Sequence, residues 1–85
     1  MKYIIYKDGD KEYLVTFPKA IEHKKMAEAM EVMRFGGDHD WHRNQGKIVG
    51  AGFIEAGQCT GSSETLNIGS RLQDTAIYRN GGVGP

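Results

Sequence analysis

The chain has one cysteine, Cys59, among its 85 residues. No disulfide can form within it, so a reducing compartment is the default. It has no surplus of either charge, since 11 Lys and Arg offset 11 Asp and Glu, and its isoelectric point is near 6.8. Duplex nucleic-acid binders ordinarily show a basic footprint, with pI above about 9, so that partner is set aside while a local basic pocket stays open. No apolar run approaches the roughly 20 residues of a membrane span. The apolar stretch near Met1 is too short for a secretory signal. These absences predict a cytoplasmic protein with no membrane partner. What is present, 39% apolar and 26% charged residues, is the balance of a folded domain rather than a disordered tail.

The length allows one domain, which would bury only about 60% of the surface its unfolded chain exposes. Lys2 to Lys7 reads as a strand, because Tyr3, Ile4, Ile5 and Tyr6 are β-branched or aromatic and charges bracket them. The run is apolar on both faces, so it belongs inside a sheet or against a partner. Asp8-Gly9-Asp10 is a tight-turn signal. A second strand follows from about Glu12 to Phe17, with Tyr13, Val15 and Phe17 on one face and Leu14 and Thr16 on the other. Pro18 ends the ladder and suits a first helical position. From Lys19 to Met33 the apolar period is near four, with Met26, Met30 and Met33 in one stripe. That predicts an amphipathic helix ending near Phe35, at Gly36-Gly37. Residues 36–46 are polar and aperiodic, a loop. Lys47 to Glu55 is again a strand, with Val49, Ala51 and Phe53 on one face and Gly50 and Gly52 weakening it unless something packs closely there. Gln58 to Ile68 reads as a further strand, interrupted near Gly61. Ser70 with Gln73 fits a capping box, with Asp74 in the first turn. The helix it opens would turn Leu72, Ala76 and either Ile77 or Tyr78 to the core. The prediction is a single α+β domain over residues 1–80, ordered β-β-α-loop-β-β-α, with a small mainly antiparallel sheet and two helices. Residues 81–85 read as a flexible tail. The doubly apolar first strand and the Met stripe exceed what such a sheet covers alone, which predicts a homo-oligomer.

The chain resembles a family of small, mostly uncharacterised bacteriophage and prophage proteins. The resemblance rests on Phe17-Pro18, Ile21 and His23, on the strand Ile48 to Phe53, and above all on the run Gly61-Ser62-Ser63-Glu64-Thr65-Leu66-Asn67-Ile68-Gly69-Ser70-Arg71-Leu72-Gln73-Asp74. The chain departs from the family at Leu72, where Pro is usual, at Gln73, and at Gly50, where Ser is usual. The resemblance implies a phage origin, hence a host-cell cytoplasm, and a role in host takeover or against host defence. It implies no established activity.

The same run is the leading candidate site. A polar strand enters a helix N-terminus, where backbone N–H groups are free and the dipole favours an anion. Arg71 adds a forked donor for phosphate or carboxylate, and Ser70, Ser62 and Ser63 add hydroxyls. The plainer alternative is capping, with Arg71 paired to Glu64 or Asp74. Trp41, Arg43 and His23 are further candidates, the first two as a stacking and phosphate-contacting loop. Asp38, His39, Asp40 and His42 have metal-ligand chemistry but lack convincing partners, so neither metal nor cofactor is expected. Cys59 has no nucleophile signature around it, and no Gly-x-Ser-x-Gly turn occurs. The expected function is a non-enzymatic binding module that captures an anionic, nucleotide-like small molecule or blocks a host protein. The alternatives are a small metal-dependent hydrolase built on His39 and His42, and a structural protein without a ligand.

Overall fold

Strand β1 (Lys2–Asp8) is the middle of a five-stranded antiparallel sheet in the computed structural model, which describes residues 1–35 and 48–84. Its run Tyr3-Ile4-Ile5-Tyr6 explains the position. A strand alternates its side chains between faces, so four consecutive apolar residues need cover on both. The chain supplies it. β2 (Lys11–Phe17) returns through the Gly9 turn and pairs with β1 from Lys2↔Phe17 to Asp8↔Lys11. On the other side β1 pairs with β3 (Ile48–Glu55), and β3 with the short β4 (Gln58–Thr60).

One face of the sheet presents Ile4, Tyr6, Val15, Phe17, Ile48 and Ala51. Helix α1 (His23–Phe35) covers it with Met26, Ala27 and Met30, and a small two-stranded hairpin adds Leu66 and Ile68. That hairpin pairs β5 (Ser62–Ser63) with β6 (Ile68–Gly69). The other face presents Tyr3, Ile5, Leu14, Val49, Ile54 and Cys59 to Ile77 of helix α2 (Leu72–Arg79). Tyr3, Ile4, Ile5 and Tyr6 are each 0% exposed. At roughly 1.5–3 kcal/mol for a fully buried large apolar side chain, this strand anchors both layers. Both faces of the first strand, part of what predicted a homo-oligomer, are covered within one chain.

The α+β class, with an antiparallel sheet and two helices, is as the sequence predicts; the loop predicted over residues 36–46 lies outside the described residues, and several local features differ. The 58–68 segment is three short strands rather than one, because Gly61 turns the chain at φ 77° and Asn67 at φ 57°. Helix α1 begins at His23, not near Lys19, because the Pro18 carbonyl accepts the Ile21 N–H in a turn. A register shift of β1 against β3 between Ile5 and Tyr6 places Ile48 with Ala51 and moves Val49 to the opposite face. Leu72 is 98% exposed instead of facing the core, and Ile77 is the buried residue of α2's apolar face. The terminal segment is not a loose tail. Val83–Gly84 forms β7 on the free edge of β2, and the Leu14 N–H donates to the Gly82 carbonyl at 2.7 Å. Among the described residues, no helix is long and apolar enough to cross a membrane.

Candidate functional site

Among the described residues, the Asp74 carboxylate is fully buried at the start of α2. Strand β1 aims Tyr3 at it, and the Tyr3 hydroxyl donates to Oδ2 at 2.7 Å. The Arg71 backbone N–H donates to the same oxygen at 3.0 Å, and Arg71 Nε donates to Oδ1 at 2.8 Å. Burying a carboxylate is costly unless donors surround it, and three converge here. Gly50 of β3 leaves the room: a Cβ there would lie 2.5 Å from Oδ2. The arrangement makes Arg71 the helix N-cap and Asp74 the third helical residue, a capping box one residue beyond the predicted Ser70–Gln73 pair. The cap moved because the buried Asp74 side chain, not the Ser70 hydroxyl, closes on the helix start.

Arg71 turns its outer edge to Glu12 of β2. Nη2 donates to Oε1 at 2.6 Å, and Nη1 reaches Oε2 at 3.4 Å. The guanidinium expected to face an anion is therefore clamped between two carboxylates. Of the two pairings considered for Arg71, that with Asp74 forms; the second partner is Glu12 rather than Glu64. The Arg71 hydrogen bonds hold Glu12 below the usual carboxylate range, against the opposing effect of burial. Burial, then the Asp74 bond, push the Tyr3 phenol well above its ordinary range, so it stays a donor. Cys59 packs against the cluster of Tyr3, Ile5 and Ile77. Burial also pushes the Cys59 thiol up, away from a reactive thiolate. The Cys59 backbone N–H is taken by the Thr75 hydroxyl at 3.0 Å.

Beside this cluster runs a groove of about 450 Å³ between α2 and the β2–β7 edge. Ala76, Ile77, Val83 and the Gly84 backbone make its apolar lining, with Glu12, Gln73 and Asn80 as polar groups. Gly84 is required there, since a Cβ would meet Ile77 Cγ1 at 2.7 Å.

The other candidates lie apart. Ser63 is buried on the α1 side, where its hydroxyl accepts the Leu66 N–H at 3.1 Å and meets Thr65 Oγ1 at 3.3 Å. Ser62 is its exposed neighbour on β5. His23 opens α1 and is buried, with its ring held edge-on between Phe17 and Phe53 at 5.4 and 5.6 Å. Its Nε2 sits 2.9 Å from the Gly52 carbonyl. A carbonyl only accepts, so Nε2 carries the proton. Burial lowers the His23 pKa, and Lys2 lowers it further against the pull of that hydrogen bond. A cleft of about 220 Å³ lies here, lined by Lys2, Glu22, His23, Phe53, Glu64 and Thr65. Trp41, Arg43, Asp38, His39, Asp40 and His42 lie outside the described residues. Among the described residues no three His, Cys, Asp or Glu side chains group to hold a metal ion.

Sequence reading missed Glu12, Tyr3, Asn80 and Val83. Glu12 and Arg71 are 59 residues apart, a separation with no local signature. Gly50 was the available signal, because a glycine inside a strand marks a close approach. Comparison with protein-family models, with curated proteins and with solved structures gives no match to this chain.

Proposed function

We propose that the protein is a non-enzymatic binding module whose receptor is the groove between α2 and the β2–β7 edge. The observation that carries this reading is the lining of that groove: an apolar floor of Ala76, Ile77 and Val83 with a few polar groups, Glu12, Gln73 and Asn80, at its sides. This is the usual composition of a small-ligand or side-chain pocket. The phage-like run supports the same place, because its last residues, Arg71, Gln73 and Asp74, build one wall and the clamp behind it. On this reading the module acts by occupying a host component, in keeping with the host-directed role that the resemblance implies. Arg71, engaged by Glu12 and Asp74, argues for an occupant that brings donors rather than a nucleotide-like anion.

A fragment screen read by NMR on the Ala76, Ile77 and Val83 methyl groups tests the reading. Fragments are expected to shift these three together, and Ala76→Trp, at an exposed helix position, should abolish the shifts by filling the groove. Fragments that shift only residues elsewhere, or none at millimolar concentration, would overturn it.

A further inference from the structure

Helix α2 runs out into Asn80-Gly81-Gly82. Asn80 and Gly81 are exposed, and among the described residues no hydrogen bond engages the Gly81 N–H. Gly81 has no side chain to screen its own nitrogen. An asparagine amide and the next backbone nitrogen can close a five-membered ring when that nitrogen is unobstructed. The other asparagines, Asn44 and Asn67, precede Gln45 and the β-branched Ile68, whose side chains crowd it. Asn80 also has a structural role. Its Nδ2–H donates to the Val83 carbonyl at 3.0 Å, across the turn that leads into β7.

The folded turn keeps the reacting atoms apart. With Asn80 ψ at 31°, the Gly81 nitrogen lies on the far side of the Cα–C bond from Cβ, so ring closure requires rotation about that bond. The rotation carries Gly81 and Gly82 with it. It breaks the 2.9 Å bond from the Gly82 N–H to the Ile77 carbonyl and lifts β7 from the β2 edge. We propose that Asn80-Gly81 is a self-modification site, a deamidation gated by the docking of β7. In the undocked state the Gly81 nitrogen gives its proton to solvent base and attacks Cγ. The N–Cγ bond forms, the Cγ–Nδ2 bond breaks, and Nδ2 leaves as ammonia, taking a proton from water. A second water opens the succinimide at either carbonyl, giving aspartate or isoaspartate, with no oxidation or reduction. Either product lacks the Nδ2 donor. An aspartate sets acceptor against acceptor at the Val83 carbonyl, and an isoaspartate adds a main-chain atom to the turn. The strand that protected the amide is the strand released, so the reaction is a one-way latch that uncovers Ile77.

The whole chain and a free peptide of residues 77–84, held in mildly alkaline buffer, are followed by peptide-mapping mass spectrometry. Conversion of residue 80 from amide to acid is expected in both, about tenfold slower in the protein, because only the locally opened state reacts. Asn80→Gln keeps an amide but needs a six-membered ring, and should show no conversion. Gly84→Ala leaves Asn80 and Gly81 untouched and drives a Cβ to 2.7 Å from Ile77 Cγ1, so it should speed conversion at least threefold. The modified protein should exchange its Leu14 amide at least tenfold faster than the unmodified protein, with the Ile4 amide unchanged. No conversion in the protein or in Gly84→Ala while the peptide reacts fully would overturn the site. Conversion at the peptide's rate, or no effect of Gly84→Ala, would overturn the gate. A Leu14 amide still protected after conversion would overturn the latch.

Discussion

Gly50 and Asp74 are fitted to each other: the strand residue lacks a side chain where the helix residue places its carboxylate, and a Cβ on Gly50 would lie 2.5 Å from Oδ2. Nothing else at Gly50 demands glycine, since its φ is not among the positive ones. In an open strand, replacing glycine by alanine would stabilise through the unfolded chain. Here Gly50→Ala should instead cost about 1–3 kcal/mol, as overpacking does. Urea denaturation would read it as a lowered midpoint with the slope unchanged.

Asp74 itself should be the least replaceable polar residue among those described. Asp74→Ala takes the acceptor from the buried Tyr3 hydroxyl and leaves Arg71 with Glu12 as its remaining carboxylate among the described residues. Breaking a buried pair by removing one partner typically costs about 3–5 kcal/mol. Asp74→Asn keeps an acceptor for Tyr3 and should fall between the two. Thermal melts of both variants check the order.

Ser70→Ala and Arg71→Ala separate two accounts of the helix start. If Ser70 were the cap, its loss would cost about 1 kcal/mol. Arg71 holds the cap position instead, so Ser70→Ala should cost less than Arg71→Ala. The latter should exceed the about 0.5 kcal/mol of an ordinary surface change, because it uncouples Glu12 from Asp74. Paired denaturation curves decide.

Acid should destabilise the fold in two stages. His23 is buried with its pKa lowered from 6.5, so the unfolded chain takes up the proton first and stability falls as pH drops below about 6.5. Glu12 is also held low, from 4.5. Its contribution is complete above that value and is lost as pH falls through its folded pKa. His23→Gln can keep a donor for the Gly52 carbonyl without titrating and should flatten the upper stage only. Melting temperature against pH for the two proteins checks the sign.

The last strand should matter although it is two residues long. Deleting residues 82–85 removes the Gly82 carbonyl from the Leu14 N–H and uncovers Ile77. Hydrogen exchange at the Leu14 amide should accelerate by at least tenfold, while the Ile4 amide, in the central strand, changes only with global stability.

The sheet was legible where the signal is local. Tyr3 to Tyr6 announces a strand covered on both sides, and the Asp8–Asp10 turn fixes its partner's register. The α2 helix was legible as an element but not in its phase. Its Leu72 reads as core by type and is exposed, because Asp74 claims the inward position that sets the helix's rotation. The candidate site was half legible. Arg71 and Asp74 stand three residues apart in one motif, and their pairing was among the alternatives. Glu12 and Tyr3 reach them only through the sheet, and the lining at Val83 depends on a terminal strand whose glycines resemble a tail.

The contact between the Cys59 backbone N–H and the Thr75 hydroxyl bears on how copies of this chain meet at high concentration. An outer strand with open amides is a template for intermolecular sheet growth. Here β4 is three residues long, with one of its amides engaged by a threonine from the helix above. The opposite border, β7, is shorter still. The apolar strand β1 is paired on both sides, by β2 and by β3, so its run Tyr3 to Tyr6 is shielded from fibrous stacking while the fold is intact.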